Sequence, residues 1–129
     1  MSTPVGPYSP AMRAGPWLVC SGQLGLRQSD GGSVLADESF EVESRQALAN
    51  VSELLVGRGA SWANVVKVTV FLADIADYAV FNDVYTDVLG SHRPARTLVA
   101  VAGLPRNANV EVEVWAYAPD SEDTATWST

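Results

Sequence analysis

At 129 residues the chain suffices for one globular domain with a sizeable core and leaves no room for a second. With 47% hydrophobic and 18% charged residues it has no run near the roughly 20 apolar residues of a membrane span, and the opening MSTPVGPYSP lacks the basic and apolar regions of a signal peptide, which predicts a cytoplasmic protein. The net charge of −7, with a pI near 4.4, disfavours a phosphate-binding surface, so neither nucleic acid nor a membrane is expected as a partner.

Pro4 to Gly15 is rich in proline and glycine and predicts an extended arm over the surface, anchored by Tyr8 if anchored at all. Trp17 to Cys20 reads as a strand, with Gly22 and Gly25 marking a turn, a bulge or a close backbone approach before a second extended piece. Asp30, Gly31 and Gly32 form a loop tip, and Val34 and Leu35 a short return strand. From Phe40, apolar residues at Ala47, Leu48, Val51, Leu54 and Leu55 keep helical spacing. Asp37 or Ser39 supplies the N-cap, and Arg58 followed by Gly59 suits the C-terminus.

Val65 to Leu72 (VVKVTVFL) is β-branched and nearly continuous in apolar character, which predicts a central strand covered on both faces, Lys67 excepted. Asp74 and Asp77 offer N-caps for a second helix with its apolar stripe along Tyr78, Phe81, Tyr85, Val88 and Leu89, ending at Gly90. Thr97 to Ala102 and Val110 to Tyr117 are strands joined through Leu104 to Asn107. The order ββ(β)αβαββ predicts an α+β sandwich, a mixed β-sheet with two helices packed on one face. Two helices cover only one face of such a sheet, so a partner subunit is expected on the other. Residues 1–118 form the single domain; the acidic tail over 119–129, DSEDTATWST after Pro119, lacks periodicity and is expected to be disordered, with Trp127 alone hinting at docking.

Arg96 stands at the mouth of a short strand, and Glu111 and Glu113 share one face of the next. A guanidinium grips a carboxylate by two parallel hydrogen bonds, and a nearby carboxylate can orient a water, so the set points to chemistry on a small organic acid, although such a set is more often a solvated or structural ion-pair group. Tyr8 either pins the N-terminal arm or covers a ligand. Ser21, Gly22 and Gln23 after a strand form a plain bulge or a close approach for a ligand, and Asn82 is a helix boundary residue or lines a pocket. His92, the only histidine, has no triad partner, and Cys20, the only cysteine, lies in an apolar strand with nothing to lower its pKa. Together they exclude an intramolecular disulfide and an ordinary His/Cys zinc site, so no metal is predicted.

The strings VGPYSPA, CSGQ, SRQALANV, VVKVTVFLADIADYAVFNDVY and HRPARTLVAVAGLPRNANVEVEVWA, in this order, resemble the reactive intermediate deaminase (RidA/YjgF) family from Pro4 to Ala118. The resemblance implies a chorismate-mutase-like fold, a homotrimer with clefts between subunits, and hydrolysis of reactive 2-imino acids and their enamines, such as 2-aminoacrylate, to 2-keto acids and ammonia without cofactor or metal. It further implies that Arg96 clamps the substrate carboxylate, that Glu111 positions the attacking water, and that Tyr8, Ser21, Gly22 and Asn82 line the cleft. Leu98 stands where many members carry a cysteine or another small residue, so it bears on which imino-acid side chain fits. Two other functions are compatible with the same residues: a trimeric small-carboxylate-binding or regulatory protein without turnover, and a ribonuclease, which the net charge and the lack of a histidine pair disfavour.

Overall fold

The computed structural model describes residues 6–119 of the chain, and the predicted acidic tail beyond Pro119 lies outside them. In chain order the elements are β1 (Ala11–Ala14), β2 (Trp17–Leu24), β3 (Leu26–Ser29), β4 (Gly32–Leu35), α1 (Phe40–Gly57), β5 (Val65–Leu72), α2 (Tyr78–Leu89), β6 (Ala95–Ala100) and β7 (Val110–Tyr117). Five strands form one mixed sheet in the order β1-β2-β7-β5-β6, and β3 and β4 form a separate hairpin. Only β6 runs parallel to its neighbour, because α2 carries the chain from the end of β5 back to the start of the next strand. Both helices lie on one face, as the amphipathic patterns require, and no helix among the described residues is long and apolar enough to cross a membrane.

The sheet departs from the sequence reading at its edges and its centre. The arm expected to lie extended over the surface contains β1, whose Ala11 to Ala14 pair antiparallel with Cys20 to Trp17. Its composition carries no strand signal; the open edge of β2 supplies the ladder. β2 in turn continues beyond Cys20 to Leu24, so four strands rather than two or three precede α1. The central strand is β7, between β2 and β5. In β5 only one face is buried, by Val68, Val70 and Leu72, while Lys67, Thr69 and Phe71 on the other are half-buried. Neither helix covers that second face, where Trp115 remains 47% and Tyr117 41% exposed. Trp17 lies edge-on against both rings there, at centroid distances of 6.3 and 5.1 Å.

α1 is fixed at both ends and along its buried face. The Ser39 hydroxyl accepts the Val42 N–H as N-cap, and Arg58 closes the far end by donating its backbone N–H to Leu55 and Val56. Ala47, Leu48, Val51, Leu54 and Leu55 are buried against the sheet, at about 1.5–3 kcal/mol for each leucine or valine removed from water. Asp74 caps the 3-10 turn Ile75–Asp77 ahead of α2, whereas Asp77 makes no side-chain cap.

Two polar side chains on α1 hold the ends of the strands. Asn50 donates from Nδ2 to the carbonyls of Leu24 (2.9 Å) and Leu26 (2.8 Å), fixing the corner between β2 and β3. The fully buried Glu43 carboxylate accepts from the Asn109 backbone N–H (2.7 Å) and from Asn109 Nδ2 (2.8 Å), which anchors the chain just before β7. Gly25 crosses this helix so closely that a Cβ would stand 2.4 Å from the Glu43 carbonyl oxygen. Backbone cannot yield as a flexible side chain does, so Gly25→Ala is expected to destabilise by about 1–3 kcal/mol in urea unfolding. Gly31→Ala, where an added methyl meets nothing within 4 Å, should leave the midpoint unchanged.

Candidate functional site

The alternation of side chains along β7 sends Val110, Val112, Val114 and Ala116 into the core and Glu111, Glu113, Trp115 and Tyr117 to the face away from the helices. Beside Glu111 and Glu113, β2 carries a bulge: Cys20 pairs with Val114 but Gln23 with Val112, so one extra residue is accommodated between them. The bulge keeps both Cys20 and Gln23 buried and brings Ser21 and Gly22 together beside the two glutamates.

Ser21 uses its backbone N–H to bond the Pro10 carbonyl (2.8 Å) and its hydroxyl to bond the Ser9 carbonyl (2.7 Å). These bonds hold the segment that carries Tyr8 at the rim of a cavity of about 440 Å³ lined by Tyr8, Ser21, Gly22, Pro105, Glu111 and Glu113. A Cβ at Gly22 would lie 2.7 Å from Glu111 Cδ, so the absence of a side chain there is what seats the carboxylate. Burial raises the proton affinity of Glu111 above the ordinary carboxylate value, and the charge of Glu113 raises it further.

Arg96 lies elsewhere. On β6 it is paired with Val68, and Leu98 with Val70, so both face the helix side of the sheet. Arg96 Nη2 donates to Asn82 Oδ1 at 2.7 Å, and its Cζ lies 4.8 Å from the ring centroid of Tyr85 and 5.9 Å from those of Tyr78 and Phe81. A second cavity, of about 250 Å³, is lined by Asn82, Tyr85, Thr86, Arg93, Pro94 and Arg96. Among the described residues neither Arg93 nor Arg96 has a carboxylate partner; Arg93 donates to the carbonyls of Gly90 and His92. Leu98 packs against the main core and lines neither cavity.

The residues singled out in the sequence therefore fall into two groups on opposite faces of the sheet: Tyr8, Ser21, Gly22 and Glu111 on one, Arg96, Asn82 and Leu98 on the other. Arg96 and Glu111 do not meet within a single chain. Pro105, Tyr85 and Arg93 were not among the expected lining residues. Tyr85 had a readable signal, since it follows Asn82 by three positions on one helix face, but its place in an apolar stripe marks it equally as core. Cys20 is buried, its thiol pushed up to about 11 by burial, and His92 Nε2 lies 2.8 Å from the Val65 carbonyl, a packing role.

Comparison with known proteins covers nearly the whole chain. The family model described as Endoribonuclease L-PSP matches residues 1–118. A RutC family protein of Pyrococcus horikoshii is 40% identical over 114 residues, 88% of this chain and 89% of the relative. The 2-iminobutanoate/2-iminopropanoate deaminase of Bos taurus is 42% identical over 112 residues, 87% of this chain and 80% of that protein. The crystal structure of RidA from the Antarctic bacterium Psychrobacter sp. PAMC 21119 superposes with a TM-score of 0.83 at 35% identity, over 90% of this chain and 92% of that one. With the fold, the ordered motifs and these similarities in agreement, the chain belongs to the RidA/YjgF family, whose sequence model carries the Endoribonuclease L-PSP description.

Proposed function

We propose that the protein is a cofactor-independent cytoplasmic deaminase that hydrolyses small 2-imino acids, 2-aminoacrylate and its imine tautomer among them, to 2-keto acids and ammonia. The observation that carries this reading is Arg96: a guanidinium in a cavity, with no carboxylate partner among the described residues, is arranged to receive an anion from outside the chain. Similarity to a 2-iminobutanoate/2-iminopropanoate deaminase supports the identity of that anion as a 2-imino acid. The net charge of −7 and the engagement of the only histidine with the Val65 carbonyl argue against RNA cleavage.

The chemistry asks little of the side chains. An enamine takes a proton on its terminal carbon to become the iminium, whose central carbon is already electrophilic. Water adds there as Glu111 takes its proton, giving a carbinolamine; that proton then returns to nitrogen, and as the carbon–nitrogen bond breaks the hydroxyl gives its own proton back through the carboxylate to the departing ammonia, leaving a 2-keto acid and ammonium. A carboxylate whose proton affinity is raised suits a group that must both accept and return a proton. Arg96 holds the substrate carboxylate, while Tyr8, Ser21 and Gly22 shape the acidic half of the cleft and Asn82 holds Arg96. Leu98, packed against the main core and lining neither cavity, bears on substrate side-chain size only indirectly.

Since the two halves face opposite sides of one sheet, a working cleft joins the Arg96 half of one subunit to the Glu111 half of the next. The uncovered aromatic face gives the association its apolar area, and a closed homotrimer repeats the junction at each boundary. Arg96→Ala and Glu111→Gln alone should each abolish ammonia release in an assay coupled to an amino-acid oxidase. Unfolded together and refolded as a mixed trimer, they should regain about a quarter of the wild-type rate, since each cleft draws its two halves from different subunits chosen at random. No recovery in mixed trimers verified by native mass spectrometry would rule out the shared cleft, and binding of pyruvate without turnover by the wild type would favour the non-catalytic carboxylate-binding function.

Two further outcomes follow from the acidic half. Glu111 must be ionised to accept the water proton, so kcat/KM should fall, as pH is lowered, at a value above the ordinary 4.5 of a glutamate. Glu113→Gln removes the repelling charge but not the burial, and should move that limb to lower pH. Gly22→Ala places a methyl against the Glu111 carboxylate and should cost about 10²-fold in kcat with the melting temperature nearly unchanged.

A further inference from the structure

The stripe Tyr78, Phe81, Asn82 and Tyr85 follows i, i+3, i+4, i+7 spacing, which places all four side chains on one face of α2. That face meets the Arg96 guanidinium. Phe81 and Tyr85 are buried, so their rings double as core, while Tyr78 at the first turn is 46% exposed and closes the outer side. The Tyr85 ring is the nearest of the three, at 4.8 Å from Cζ, and stands 5.8 Å from the ring of Phe81. Its hydroxyl is buried and makes no hydrogen bond among the described residues, so the phenol anchors none of them through its oxygen. What Tyr85 offers Arg96 is the ring.

We infer that these rings, Tyr85 foremost, are positioning residues that seat the Arg96 guanidinium for carboxylate capture; the inference rests on the deaminase reading for its substrate but not for its geometry. Ring faces attract a cation without supplying an acceptor that would consume its N–H groups, so the charge is held while its donors stay available. Asn82 Oδ1 takes Nη2 alone and fixes rotation about the guanidinium plane. The rings also replace water around the cation, which lowers the screening between guanidinium and an incoming carboxylate. An acidic side chain in the same place would hold Arg96 more strongly and compete with the substrate. A side chain with four rotatable bonds and no such seat would pay the entropy of ordering at each binding event.

The test separates ring from hydroxyl and binding from turnover. Tyr85→Phe keeps the ring and loses only an oxygen without a partner, so KM should stay within about twofold of wild type. Tyr85→Leu keeps an apolar side chain and should raise KM about tenfold, with kcat changed far less, as loss of one close cation–ring contact implies. Tyr78→Ala removes an exposed ring that the core does not need and should raise KM about two- to threefold, which keeps the inference testable should the leucine variant fail to fold. Calorimetric binding of pyruvate reads the same seat without turnover and should weaken in the same order. Absence of turnover in a wild type that binds pyruvate would count against the deaminase reading alone. Wild-type KM and pyruvate affinity in the folded ring-loss variants, or equal losses in Tyr85→Phe and Tyr85→Leu, would overturn the seat.

Discussion

A strand in a single sheet can present only every second side chain to each face, and this alternation governs the whole molecule. With both helices on one side, β7 must give its valines to the core and its glutamates and aromatic rings to the other face. β6, at the sheet edge, turns Arg96 and Leu98 towards α2 by the same rule. The cation and the carboxylate thus lie on opposite faces because the register of three neighbouring strands puts them there. A single chain cannot bring them together without breaking the pairing that makes the core.

The polar groups inside the fold serve that register. Glu43 is a buried carboxylate with no cationic partner among the described residues, satisfied instead by the backbone and side-chain amides of Asn109. Such a group is costly unless hydrogen-bonded, and here its two acceptors set the entry of β7, two residues before Glu111. Asn50 does the same for the exit of β2, about two turns further along α1. α1 therefore sets the positions of both strands that flank the acidic cavity, while its own exposed surface carries ordinary ion pairs such as Arg45 with Asp87 at 2.9 Å. Pairs of that kind, well exposed at both ends, contribute little.

Much of this was legible from residue order alone. The helical spacing from Phe40, the β-branched run at Val65 and the alternation at Val110 each state one period clearly, and the structure places one helix and two strands there. β1 was not legible, because Ala11 to Ala14 has neither β-branched residues nor alternation and pairs only because β2 offers an edge. The centre of the sheet was misplaced for a related reason: continuous apolar character in β5 describes burial in an assembly as readily as burial in a chain. At the site, the ordered motifs identified the residues but not their division between faces. That division depends on strand neighbours, and neighbours distant in sequence leave no local pattern. Tyr85 was hidden differently, since a ring that seats a cation and a ring that fills a core have the same spacing.

The bulge between Cys20 and Gln23 makes the chain unusually intolerant of length change at one point. Removing its extra residue would restore a regular ladder and turn either the residues before it or those after it through half a strand period, moving buried Gln23 from the face it shares with Val112 to the opposite one. The β3–β4 hairpin tip at Asp30 and Gly31, exposed and away from either cavity, carries no such penalty. Insertions and deletions accumulating over evolutionary time should thus gather at the tip and spare the four residues from Cys20 to Gln23, so that spacing there is a firmer hallmark of the fold than the identity of any one side chain.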